Sequence, residues 1–157
     1  MGCGYFFNEA VMAEKTKETV EVNLEDFYTL DNEKNGMWYE PMIEGEPIHM
    51  EFLMIGIHSD EGVALMEHYD RLAKELKKET DPAIRAEKEA ILDAERVASL
   101  VKGIRPADGY SLNIKGKSVD FSQQFIKDFL YNVPLVKMDL IQFTVRTANF
   151  MNRKKNL

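Results

Sequence analysis

Histidine, tryptophan and cysteine are scarce in this chain: three, one and one among 157 residues. The single cysteine, Cys3, excludes an internal disulfide and any cysteine-based zinc site, and it suits a reducing compartment. The histidines stand at 49, 58 and 68 with no His-x-x-x-His spacing. Glu61 and His68 are seven apart, two turns along a helix, too far for one small ion. No metal and no cofactor are expected. No run approaches the length of apolar residues that a membrane-spanning helix needs. The opening "MGCGYFFNEAVM" has neither the basic start nor the sustained apolar stretch of a signal peptide, and Phe6 stands where a myristoylation signal has Ser or Thr. A soluble cytoplasmic protein without a membrane partner is the expectation.

Positive charge is also in the minority. Twenty Lys and Arg face 27 Asp and Glu, a net charge of −7. Phosphate backbones are held by clustered Lys and Arg. Lys115, Lys117 and the tail Arg153-Lys154-Lys155 are the only local candidates, and no aromatics interleave with them. No nucleic-acid partner is expected. Phosphate-binding glycine motifs are missing too: "NIKGKS" lacks the first glycine of a P-loop, and no G-x-G-x-x-G occurs. No serine sits in a G-x-S-x-G elbow, and Cys3 lies in a terminus with no base to be held beside it. Adjacent acids such as Asp60-Glu61 read as caps and solvated faces. The chain is expected to be non-enzymatic.

What is present is an ordinary globular composition, 45% apolar and 30% charged, at the length of one domain. Nine methionines suit either a plastic core or a surface that accepts a partner. Residues 1 to 23 read as an arm, 24 to 152 as a single α+β domain, and 153 to 157 as a frayed basic tail. Tyr5, Phe6 and Phe7 on the arm want burial, on the chain's own core or on another molecule.

Within the domain, Asn35-Gly36 is a turn signal before "MWYEPMI" (37 to 43), and "EGEP" separates that run from "IHMEFLMIGI" (48 to 57). The pair predicts an antiparallel hairpin with Ile48, Met50, Phe52 and Met54 on one apolar face and Pro41 in an edge strand. Trp38 is expected in the core. From Ser59 the period becomes helical: Ser59 caps, Lys77 and Lys78 close the helix, and Val63, Met66, Tyr69, Leu72 and Leu76 form its buried stripe. A second helix starts at Asp81-Pro82 and ends at Gly103, with Ile84, Ile91 and Val97 to Val101 as its apolar side, antiparallel to the first. A glycine-rich connector, with a short β excursion at 110 to 114 and 117 to 120, leads to a helix from about Ser122 to Tyr131. The last helix starts at Pro134 and carries Leu135, Met138, Ile141, Val145 and Ala148. Phe143 and Phe150 lie off that stripe as a second apolar ridge, so this helix is either buried on two sides or awaits a partner.

The order of these segments resembles a known family. An acidic lead-in, "LEDFYTLDNEKNGMWYE", closes on Gly36 and Trp38. "HSDEGVALMEHYDRLAKE" and a Lys/Glu/Ala helix ending "ERVASLVKGIR" follow, then Gly116, Phe121-Ser122, and the helix "PLVKMDLIQFTVRTANFM" with Phe150 near its end. This layout, over about residues 24 to 151, resembles the tail assembly chaperones of long-tailed bacteriophages. The chain departs from the family in its long arm and in "RPADGY", where a tryptophan is common. The resemblance implies no catalysis. It implies binding to the tape-measure protein, recruitment of tail-tube subunits, residence in the host cytoplasm and absence from the mature virion, with self-association left open. A small structural head–tail or tail component of the virion is the alternative. The residues expected to meet a partner are Tyr5, Phe6 and Phe7 on the arm, and Met138, Phe143, Phe150 and Met151 at the last helix; for each, ordinary core packing is the competing role.

Overall fold

The computed structural model describes residues 18 to 152. After a 3-10 turn at Leu24–Phe27, the chain forms α1 (Leu30–Asn35), β1 (Met37–Tyr39), β2 (Met42–Ile43), β3 (Glu46–Pro47) and β4 (Met50–Met54). Helices α2 (Asp60–Leu76) and α3 (Pro82–Ser99) follow, then β5 (Val101–Pro106), β6 (Asn113–Ile114) and β7 (Lys117–Ser118). Helices α4 (Gln123–Asn132) and α5 (Pro134–Val145) and a 3-10 turn at Thr147–Phe150 complete an α+β fold.

The central sheet has the order β1-β4-β5 and is antiparallel throughout. The expected hairpin forms, with Met37 opposite Met54 and Tyr39 opposite Phe52. The segment between its arms pairs with itself as a two-stranded ribbon, β2 with β3. Asn35 ends the short helix α1, and Gly36 at φ +93° makes the expected turn into β1.

Strand alternation sets the two faces. Met50, Phe52 and Met54 are buried against the helices, while Glu51 and Leu53 point the other way. Phe52 reaches the ring of Phe129 on α4, and Ile126, Leu130, Val136 and Leu140 complete the core beneath the sheet. Trp38, expected in that core, lies instead on the outward face opposite Leu53 and is 37% exposed. Its ring is covered by the Arg105 guanidinium, 4.0 Å from the ring centroid, and Arg105 is held in turn by both carboxylate oxygens of Glu51 at 3.1 Å. A large ring can leave the core when a paired cation caps it.

The second correction is β5. Helix α3 stops at Ser99, before Gly103, and residues 101 to 106 become the third strand. Phe52 pairs with Ile104, and the Ile55 N–H donates to the Leu100 carbonyl at 3.0 Å. Helix and strand readings share the apolar positions 97, 101 and 104, and the open edge of β4 decides between them, because its backbone groups need partners.

Helices α2 and α3 form the expected antiparallel pair: Arg96 bridges to Asp70 and Lys88 to Glu79, so residue numbers run in opposite directions across the contact. Ser59 caps α2 by accepting from the Gly62 N–H, and Asp81 caps α3 by accepting from Ala83 and Ile84. Met66, Tyr69 and Leu76 face inward as expected, but Val63, Leu72, Ile84 and Ile91 are outward, and α2 ends at Leu76, one residue before Lys77. The β excursion in the connector shrinks to β6 and β7.

Candidate partner-binding surface

Tyr5, Phe6 and Phe7 lie outside the described residues. The other four residues expected to meet a partner divide sharply. Phe150 is fully buried and Phe143 is 7% exposed; both belong to the core. Phe143 stacks on Tyr39 of β1 with ring centroids 4.3 Å apart, and Phe150 sits 5.5 Å from Phe143. Met151 is partly buried. Met138 alone is open, at 51% exposure.

The predicted stripe is therefore turned over. Leu135, Met138 and Val145, read as the inner face of the last helix, are its outer face, at 52%, 51% and 51% exposure. Val136, Leu140, Phe143 and Thr144 are the buried set. Ile141 lies between, partly buried against the core, and Ala148 belongs to the 3-10 turn beyond the helix. The reason is compositional. Apolar residues surround α5, so no polar side tells the sequence which way it faces. Two features orient it: Tyr39 donates to Asp139 at 2.7 Å, as does the Met42 N–H at 2.9 Å, and Lys137 reaches Asp93 on α3 at 3.9 Å. Residues 137 and 139 thus face the protein from two sides and lift 135, 138 and 145 outward.

The Asx and amide contacts near the end of the chain hold this orientation. Asn149 donates to the Phe143 carbonyl at 2.9 Å, and Asn32 on α1 donates to the Phe150 carbonyl at 2.9 Å. The Asn152 N–H reaches the Tyr28 carbonyl at 3.2 Å. Residues 18 to 23 precede this junction and are exposed.

The polar residues weighed for chemistry take structural places. His49 stacks flat on Tyr110 at 3.9 Å, His68 packs edge-on against Tyr69, and the His58 N–H donates to Glu33. Glu33, which the sequence reading passed over, is a fully buried carboxylate: one oxygen accepts from Thr29 Oγ1 and the other from the His58 N–H. It ties α1 to the turn before α2. Burial, and then the hydrogen bond from Tyr39 to Asp139, push the Tyr39 phenol well above its ordinary value. Burial and nearby Glu95 raise Tyr69 in the same direction. Among the described residues no three His, Cys, Asp or Glu are placed to hold a metal ion, and no helix is long and apolar enough to cross a membrane.

Compared with protein-family models, with curated proteins and with solved structures, the chain matches none.

Proposed function

We propose that this protein is a non-enzymatic tail assembly chaperone of a long-tailed bacteriophage, binding the tape-measure protein and recruiting tail-tube subunits. The segment order resembles that family, and one observation carries the binding role: α5 is apolar on both sides and leaves Leu135, Met138 and Val145 half exposed in a row. A helix of this kind gains free energy when a second apolar surface covers it. An amphipathic helix of the client, laid against α5, supplies such a cover.

The test is co-expression of the tagged protein with a tape-measure fragment and with the tube protein of the same genome. The wild type should keep the fragment soluble and co-elute with it. Met138→Asp, and Leu135→Asp with Val145→Asp, should stay folded by circular dichroism and release the fragment. The protein should also be absent from purified virions. A folded wild type that binds neither protein sinks the reading, and its presence in virions would favour a structural tail component.

A further inference from the structure

A second groove opens between α3 and α4. Ile91 and Tyr131 line it at 41% and 45% exposure, above buried Ala94, and its volume is about 380 Å³. Its rim is acidic: Glu87 and Glu95 come from α3 and Asp128 from α4, against Lys127 alone. Among the described residues none of these three acids is in an ion pair; the Asp128 carboxylate accepts from the Gln124 side chain, at 3.0 Å. The nearby bases are engaged elsewhere, Lys88 with Glu79 and Lys137 with Asp93.

We propose that this groove receives an amphipathic helix whose aliphatic stripe is flanked by Lys and Arg. Positions 87, 91, 94 and 95 share one face of α3, and 124, 127, 128 and 131 share one face of α4, so two helices present parallel ridges with a trough between them. Aliphatic side chains of a third helix would cover Ile91 and Tyr131, and its flanking cations would meet Glu87, Glu95 and Asp128. A cationic partner gives these acids the counter-charge that no ion pair supplies, whereas an acidic helix adds like charge to the rim. The inference stands on a different surface from the α5 face and does not require the tape-measure reading.

The experiment uses two synthetic helices of about 18 residues, about five turns, with the same leucine stripe, one flanked by lysines and the other by glutamates. Each is titrated into the full chain while backbone and methyl NMR shifts are followed. The lysine helix should bind about tenfold tighter or more, with the shifts centred on Ile91, Ala94 and Tyr131, and its advantage should shrink as salt is raised. The triple variant Glu87→Lys/Glu95→Lys/Asp128→Lys should invert the preference, and Ile91→Ser should weaken both helices. Equal affinity for the two helices, shifts centred on Leu135, Met138 and Val145, or a preference unchanged in the triple variant would overturn the proposal. If the lysine helix binds here but the tape-measure fragment fails to co-elute, the tail reading falls and the groove stands; the converse result separates them the other way.

Discussion

The Tyr39 hydroxyl and the Asp139 carboxylate, a hundred residues apart in sequence, meet at 2.7 Å and fasten β1 to α5. The same carboxylate oxygen accepts the Met42 N–H, so one acid receives both the strand and the ribbon that follows it. Replacing Tyr39 by Phe keeps the stack on Phe143 and removes only the hydroxyl. Asp139 keeps its backbone donor, so the loss should be modest, about 1–2 kcal/mol by urea unfolding. A loss too small to measure would mean that this contact does not orient α5.

Alkaline pH should act through the same phenol. Burial, and then Asp139, hold Tyr39 above the ordinary tyrosine value, and burial does the same for Tyr69. Above about pH 10 the unfolded chain releases protons that these two phenols keep when folded. The folded state then binds more protons than the unfolded state, so stability falls as pH rises. The contribution is fully present below about pH 10 and is lost as pH climbs through the folded-state values. Unfolding midpoints taken from about pH 9 to 11 should decline less steeply in Tyr39→Phe than in the wild type. Identical slopes would show that the buried phenol does not drive the decline.

Much of the secondary structure was legible because local signals agreed with the tertiary outcome. Ser59 and Asp81 each accept the backbone N–H that a capping residue should. The alternation at 50, 52 and 54 put the right face inward. Where local signals were symmetric, the reading failed. Around α5 both sides are apolar, so the choice between the Leu135–Met138–Val145 face and the Phe143 face rests on Asp139 and Lys137 finding partners on β1 and α3, which no local window contains. Residues 101 to 104 are compatible with either helix or strand until β4 presents its edge. The expectation for Trp38 followed the rule that large rings are buried, and Arg105, bound to Glu51, made it an exception from a distant strand.

The inverted faces of the last helix give a direct contrast. Phe143, on the buried face of α5, is 7% exposed, so Phe143→Ala should cost about 3–5 kcal/mol through lost burial and the cavity left behind. Met138 is half exposed, and Met138→Ala should change stability by less than about 0.5 kcal/mol. Thermal unfolding of the two variants checks the assignment. If Met138→Ala proves the more damaging, the helix faces the other way and the proposed binding surface is lost.

Gly62 is the position where a general helix rule should reverse. In an exposed helix interior Gly→Ala stabilises by about 1 kcal/mol, because alanine restricts the unfolded chain and suits the helix. Gly62, in the first turn of α2, is buried instead, and its N–H donates to the capping Ser59 Oγ at 3.0 Å. A Cβ placed there would come within 2.1 Å of the Gly56 carbonyl oxygen and 2.9 Å of the Ile57 Cα, both backbone atoms that cannot rotate away. The same Gly56 carbonyl accepts the Ser59 hydroxyl at 2.8 Å, so pushing it aside also strains the cap. Gly62→Ala should therefore destabilise by more than the loss of the cap alone in Ser59→Ala, which is expected to cost about 1 kcal/mol. Denaturant midpoints of the two variants, measured side by side, decide the matter. A Gly62→Ala protein as stable as the wild type would mean that the turn from β4 into α2 is looser than the close approach of residues 56 and 62 implies.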